Sequence, residues 1–177
     1  EALKHAGFSQ GARPKLSYLD SEDFETGTLN LDELKKYDGV VVPGGFGSTG
    51  VEGKINVIEY ARKNKIPYFG LCYGMQLMVI EYARNVLGWK DAHTSEVDPR
   101  TEHNVIDIML DQKVIIAESK YGGTMRLGSY KAVLKDGTIA REAYDKKDVI
   151  ERHRHRYEVN PEFIPDIAVD NGGEDGE

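Results

Sequence analysis

Residues 38–88 contain two short apolar runs, each followed by a glycine-containing turn and then by a segment with helical periodicity. The runs 38–45 and 66–72 are rich in β-branched or aromatic residues, which predicts two buried strands. The segments 51–65 and 73–88 place apolar residues at helical spacing. Strand, helix, strand, helix with short links predicts an α/β fold, in which a mostly parallel sheet carries helices on both faces.

The first 37 residues give weaker signals. Residues 1–6 are predicted to end a helix that Gly7 caps. Segment 15–20 is a short strand candidate, 21–30 is interpreted as a polar loop, and 31–37 as a short helix.

After residue 100 the pattern changes to a smaller region of extended segments. The runs 104–110, 124–134 and 148–159 are predicted strands separated by polar loops. No internal repeat or linker is visible, so residues 1–177 are predicted to form one domain.

Composition narrows the class of protein. Apolar residues make up 40% and charged residues 30% of the chain, as in ordinary globular proteins. The net charge of −7 disfavours nucleic acid and anionic membranes as partners, and no apolar run is long enough for a transmembrane helix. Cys72 is the only cysteine, so no intrachain disulfide can form. A lone cysteine suits a reducing compartment, so we expect a cytoplasmic protein.

Cys72 lies at a strand-to-helix junction within the pattern G-x-C-x-G, formed with Gly70 and Gly74. This is the cysteine form of a nucleophile elbow, a tight turn in which flanking side chains would collide. The helix N-terminus stabilises nearby negative charge, and the backbone N–H of Tyr73 can contribute to an oxyanion hole. A free cysteine is more often a small buried apolar residue, but the flanking glycines favour the nucleophile.

The turn PGGFG at 43–47 follows the first predicted strand. Ligands gather at the carboxyl ends of parallel strands, so we expect this turn and Cys72 to face one crevice. An ordinary glycine-rich turn is the alternative. A phosphate loop is excluded, because no Gly-Lys-Ser/Thr follows and the glycine spacing is not G-x-G-x-x-G.

A cysteine nucleophile normally needs a base, and the chain has five histidines: His5, His93, His103, His153 and His155. On a strand, His153 and His155 would share one face. Their spacing in the sequence allows either of them to pair with Cys72 as its base. The alternating arginines, Arg152, Arg154 and Arg156, would share the opposite face and could hold a carboxylate. No metal site is expected, because the chain has one cysteine and no close grouping of metal-ligating residues other than His-x-His.

Six segments carry a resemblance to a known family: PGGFG (43–47), GVEGKI (50–55), IPYFGLCYGMQ (66–76), EYARNVLG (81–88), GGTMRLG (122–128) and ERHRHRYEVN (151–160). Together they resemble the glutaminase domain of CTP synthases, from residue 1 to about residue 165. PGGFG and G-x-C-x-G-x-Q are shared by class I glutamine amidotransferases generally. GGTMRLG and ERHRHRYEVN argue against another class I amidotransferase or a related cysteine hydrolase.

The resemblance implies a flavodoxin-like class I glutamine amidotransferase fold. It also implies hydrolysis of glutamine through a cysteine thioester, which supplies ammonia to a synthase domain that aminates UTP to CTP. The implied partners are therefore glutamine and that synthase domain, in a homotetramer. No cofactor is implied for the present domain, whereas ATP and magnesium serve the synthase domain and GTP is a possible activator. The domain is expected to be incomplete at both ends, with the synthase domain outside this chain.

The same resemblance implies roles for single residues. Cys72 is the expected nucleophile. Glu96 corresponds to the carboxylate that meets the substrate's α-amino group, and Arg156 to the guanidinium that meets its α-carboxylate. The full expected glutamine site is Gly45, Tyr73, Gly74, Met75, Gln76, Glu96 and Arg156.

One family motif is missing. The family's catalytic histidine and glutamate come from a late His-Pro-Glu motif, and this chain contains none. We therefore expect weak activity from the chain alone. The alternative is a non-catalytic module that binds glutamine or serves assembly.

Overall fold

In a computed structural model, residues 1–108 and 126–169 are described. The elements in chain order are α1 (Ala2–Ser9), α2 (Ser21–Thr26), a 3-10 helix (Leu31–Lys36), β1 (Val40–Val42), α3 (Val51–Lys63), β2 (Tyr68–Gly70), α4 (Tyr73–Asn85), β3 (Ile106–Ile108), β4 (Arg126–Val133), α5 (Ile139–Tyr144), β5 (Asp148–His155), β6 (Tyr157–Val159) and α6 (Ile164–Val169).

The parallel unit predicted from residues 38–88 is confirmed. Strands β1 and β2 pair in parallel, with Val41 opposite Phe69, and α3 and α4 follow them in the predicted order. The prediction that both strands are buried is wrong. Val42 is buried, whereas Val41 is 37% and Phe69 57% exposed, because no described element covers that side of the strand pair.

The region after residue 100 is extended, as predicted, and its strands pair antiparallel. Strand β3 pairs with β6 and β4 with β5. The predicted strand 148–159 is interrupted at Arg156, between β5 and β6. The prediction for 104–110 is tested only to residue 108, and residues 109–125, including the start of the GGTMRLG segment, lie outside the described residues.

The main core lies between α3, α4 and β3. It contains Ile55, Ile58, Leu77, Ile80 and Ile106, all at most 3% exposed. A smaller cluster joins Phe24, Leu34 and Val57. These apolar side chains hold α4, and therefore its N-terminus, in a fixed position.

An ion pair between the buried Glu81 and the partly exposed Arg62 also fixes α4 against α3. Glu81 is 1% exposed and accepts from Arg62 Nη2 at 2.6 Å and Nε at 3.0 Å. Asn85 Nδ2 donates to the same carboxylate at 3.2 Å. Because a buried carboxylate needs several donors to offset its desolvation, these hydrogen bonds hold Glu81, and with it α4, in place.

Three predictions near the N-terminus are wrong. Helix α1 continues through Gly7 to Ser9, and a Cβ on Gly7 would lie 2.4 Å from Pro14 Cδ, so this glycine serves close packing. Segment 15–20 is not a strand, because no described strand lies beside it. The expected loop 21–30 contains α2, whose start Asp20 caps by accepting from Glu22 N.

Two short helices, α5 and α6, were not predicted, and the helix at 31–37 is a 3-10 helix. Among residues 1–108 and 126–169, no helix combines the length and apolar character needed to cross a bilayer.

Candidate active site

Cys72 occupies the junction between β2 and α4 in a strained backbone conformation. Its φ is 53° and its ψ −105°, a region that non-glycine residues seldom adopt. Its side chain is exposed, so the alternative of a small buried apolar residue is wrong. Strain of this kind persists only where the surrounding structure enforces it, and it concentrates at functional sites.

The two glycines of G-x-C-x-G are sterically required, which confirms the argument made from the sequence. A Cβ on Gly74 would lie 2.2 Å from Val42 O, and a Cβ on Gly70 would lie 2.6 Å from Gly74 C. No side chain fits at these separations without backbone movement. Strand β1, the elbow and α4 therefore pack backbone against backbone.

The glycine-rich turn after β1 lies against the elbow, as expected. A Cβ on Gly44 would lie 3.4 Å from Cys72 Cβ, and one on Gly45 would lie 3.4 Å from Tyr73 Cδ1. Backbone N–H groups of both turns can thus approach one ligand atom.

A cleft with a volume of about 280 Å³ opens beside Cys72. Its size is near the lower end of small-molecule sites and suits a ligand such as a single amino acid. It is lined by Gly45, Phe46, Cys72, Gln76, Glu96, Arg154, His155, Arg156 and Tyr157. Five of the residues expected at the site are among these, whereas Tyr73, Gly74 and Met75 do not line it.

Tyr73 holds the two turns together instead of facing the cleft. Its buried side chain donates a hydrogen bond from the hydroxyl to Gly47 O at 2.6 Å. Burial, assisted by the negative charge of Glu96, raises the pKa of Tyr73 to about 12. As the first residue of α4, Tyr73 has a backbone N–H without an intrahelical acceptor, so its expected oxyanion role involves only the main chain.

Gln76 connects the elbow helix to the strand region that carries Arg156. The Gln76 side chain is 6% exposed, and its Nε2 donates to Tyr157 O at 2.7 Å. The hydrogen bond spans 81 residues of sequence. It fixes the backbone next to Arg156 relative to Cys72, so Gln76 positions the site as well as lining it.

Glu96 lies on a loop that is anchored to β3. Its backbone N donates to Thr94 Oγ1 at 3.2 Å, and the neighbouring Ser95 Oγ donates to Asp107 Oδ1 at 2.5 Å. Asp107, which is 8% exposed, also accepts from Asn104 Nδ2 at 2.9 Å. Buried polar networks of this kind restrict side-chain and backbone positions, so Glu96 is held at one edge of the cleft.

Tyr157, which lines the cleft, is influenced by one negative and one positive side chain, Glu96 and Arg156. Burial is the main cause that raises the pKa of Tyr157; Glu96 raises it further, and Arg156 lowers it. Both charges therefore lie within electrostatic range of one lining residue. An acidic and a basic group in one small cleft match a zwitterionic α-amino acid.

Comparison with known proteins agrees with this geometry. Residues 1–174 match the family described as "Glutamine amidotransferase class-I". The chain belongs to this family. The cleft of this family member places the exposed Cys72 beside an acidic side chain, Glu96, and a basic one, Arg156.

Relatives are similar over nearly the whole chain. A "CTP synthase" of Sulfurisphaera tokodaii is 52% identical over 164 residues, which is 93% of this chain and 30% of the relative. A "CTP synthase" of Listeria monocytogenes is 51% identical over 163 residues, which is 92% of this chain and 30% of that relative. The chain thus spans about 30% of the length of these curated relatives.

A solved structure is similar in fold. It is described as "Trypanosoma brucei CTPS - glutaminase domain with bound acivicin" and superposes with a TM-score of 0.82 at 37% identity. The match covers 93% of this chain and 62% of that one. This likeness confirms the class-I amidotransferase fold predicted from the sequence.

The histidines of this class-I amidotransferase divide into two groups. His155 lines the cleft, and the His153 ring lies 5.4 Å from it, which confirms that the two share a face. His93 is not among the lining residues; burial, followed by the charge of Arg84, lowers its pKa. His103 is paired with Asp91 at 2.6 Å and stacks on an aromatic ring.

Sequence reasoning missed three features of the site. Phe46, although 86% exposed, lines the cleft, and its place in the PGGFG turn could have indicated this. Tyr157 lines the cleft beside Arg156. Glu158 joins the two histidines of β5, and nothing in the local pattern signals that contact.

Proposed function

We propose that this chain is the glutaminase part of a glutamine-hydrolysing CTP synthase. The observation that carries the proposal is the exposed, strained Cys72 at the mouth of a small cleft that also holds Glu96 and Arg156. A strained nucleophile position is costly to maintain, so its coincidence with an amino-acid-sized cleft favours catalysis over passive binding.

The reaction follows from the groups around Cys72. The thiolate sulfur attacks the side-chain carboxamide carbon of glutamine, and a C–S bond forms as the carbonyl π-bond opens. The backbone N–H groups of Tyr73 and Gly45 are the proposed donors to the resulting oxyanion. Collapse of the intermediate breaks the C–N bond, and the nitrogen leaves as ammonia after accepting a proton. Water then hydrolyses the thioester to glutamate and restores the thiol.

Recognition uses the two charges of the cleft. The Glu96 carboxylate binds the α-ammonium of glutamine, and the Arg156 guanidinium binds its α-carboxylate. Holding the amino-acid end in this way fixes the carboxamide relative to Cys72, which lowers the entropic part of the barrier.

The rest of the reaction lies with other parts of the protein. The base is proposed to come from a His-Pro-Glu segment outside this chain, in line with the family resemblance. Ammonia passes to a synthase domain that aminates UTP with ATP and magnesium, within a homotetramer in the cytoplasm, and GTP is the proposed activator. The present domain needs no cofactor of its own for the thioester chemistry.

Covalent labelling tests the assignment of Cys72. The full-length protein is treated with a diazo-ketone analogue of glutamine, and the modified peptide is mapped by mass spectrometry. We expect an adduct on Cys72 that free glutamine suppresses and that Cys72→Ala eliminates. Labelling within this domain that survives Cys72→Ala would refute the assignment.

A further inference from the structure

We propose that His153, His155 and Glu158 form a binding site for a transition-metal dication such as Zn²⁺, beside the glutamine cleft. This inference goes beyond the proposed function and does not depend on it. Ligand atoms from the three residues all lie within 4.8 Å of one another. Two imidazoles and one carboxylate are a ligand set that zinc sites use, with the remaining position open to solvent or to a bound molecule.

The three residues converge because of the strand geometry. His153 and His155 are two residues apart on β5, so both side chains point to one side. The chain breaks at Arg156, and β6 then brings Glu158 to the same side, with its Oε1 3.9 Å from His155 Nδ1. The rings of the two histidines are perpendicular, with centroids 5.4 Å apart, so their nitrogens can address one point.

A second observation points to a ligand at this position. His153 Nδ1 is buried, and among the described residues it has no hydrogen-bond partner. Buried polar atoms without a partner are uncommon in folded proteins and call for a water molecule or an ion. Tyr130, whose ring centroid is 5.2 Å from that of His153, packs against one side of this imidazole.

The surrounding charges select the kind of cation. Arg154 and Arg156 line the neighbouring cleft and oppose a cation held only by charge. Imidazole nitrogens bind zinc, copper or nickel through directional bonds, whereas magnesium and calcium need several oxygen ligands. Asp107, directly opposite Glu158 in the β3–β6 register, adds a second carboxylate that favours a dication.

Occupation of this site has a consequence for the cleft. His155 belongs both to the metal site and to the cleft lining. A bound metal therefore places positive charge and an open coordination position next to the space that Arg156 and Glu96 border. We expect Zn²⁺ to compete with glutamine for the free protein.

The test is a titration of the full-length protein, purified without a polyhistidine tag, at about pH 7.5, because protons compete with a metal ion for its ligands at lower pH. About 10 mM Mg²⁺ is present throughout to occupy oxygen-ligand sites. Zn²⁺ affinity is measured by calorimetry, and Co²⁺ is used as a spectroscopic probe of low coordination number. The variants are H153N, H155N and E158Q, with H5N on α1 and C72A as matched controls.

We expect each of the three site variants to weaken Zn²⁺ binding about tenfold or more, and both controls to bind like the parent. Parent-like Zn²⁺ affinity in both H153N and H155N, or loss of Zn²⁺ binding in C72A alone, would overturn the proposal. A second measurement uses only the parent protein, so it is independent of variant folding. Zn²⁺ should protect His153 and His155, but not His5, from carbethoxylation mapped by mass spectrometry; absence of protection would also overturn it.

Discussion

Substitution of Gly74 by alanine tests whether backbone packing sets the geometry of the elbow. Gly74 is the second residue of α4, and an added Cβ would lie 2.2 Å from Val42 O and 2.9 Å from Val42 C. Ordinary contacts of this kind exceed 3.4 Å, so α4 and β1 must separate by on the order of 1 Å. Cys72 directly precedes α4 and must move with it.

The expected cost can be estimated from general values. Overpacking of this type costs about 1–3 kcal/mol, and alanine returns up to about 1 kcal/mol of helix propensity relative to glycine. A net destabilisation of about 1–2 kcal/mol should lower the Tm of a domain of this size by roughly 2–8 °C. Displacement of a reacting group by about 1 Å reduces rate on the order of a hundredfold, so kcat for glutamine hydrolysis should fall by about that factor.

A matched control separates lost stability from lost geometry. A Cβ on Gly53 of α3 would lie 1.9 Å from Ser21 O, a clash as severe but away from the residues that line the cleft. Both variants are assayed in the full-length protein at a temperature where each is folded. Gly53→Ala should lose stability and keep kcat. A parent-like kcat in Gly74→Ala, or equal losses of kcat in the two variants, would refute the reasoning.

Three further predictions follow from the same site. Glu96→Ala and Arg156→Ala should each raise the KM for glutamine about ten- to a hundredfold, whereas Arg152→Ala, exposed and outside the cleft lining, should not; unchanged KM in both site variants would contradict the charge assignment. Ammonia release by the 177-residue chain should be about 10²–10⁴ slower than by the full-length protein, and equal rates would place the base within this sequence. Tyr73→Phe removes the hydrogen bond to Gly47 O and should cost about 1 kcal/mol in unfolding free energy. Because folding raises this pKa from 10.0 to about 12, the contribution should be constant below pH 10 and decline between pH 10 and 12; a difference that varies between pH 6 and pH 9 would contradict it.

The elbow could be predicted from sequence because its constraints are local. Gly70, Cys72 and Gly74 lie within five residues, and the collisions that exclude larger side chains involve the turn itself and the preceding strand. Helix α2 also has local signals at its ends, with Asp20 at its start and a left-handed Gly27 after its last residue. Its polar composition nevertheless favoured the prediction of a loop. Its burial of Phe24 against α3 shows that tertiary packing decided the outcome.

Long-range contacts could not be predicted in this way. The Gln76–Tyr157 hydrogen bond spans 81 residues and depends on the pairing of β3 with β6. No periodicity within one segment encodes which strand will be its neighbour. The exposure of Val41 and Phe69 could not be predicted either, because an apolar run indicates a strand but not which of its faces is covered.

The central claim is that Cys72 releases ammonia from glutamine for use elsewhere in the full-length protein. The most direct measurement compares CTP formation from UTP by the parent and by Cys72→Ala, with either glutamine or ammonium as the nitrogen source. The account predicts that Cys72→Ala loses glutamine-dependent synthesis by about a thousandfold or more and keeps the parent rate with ammonium. Glutamine-dependent synthesis at the parent rate in Cys72→Ala would contradict the account.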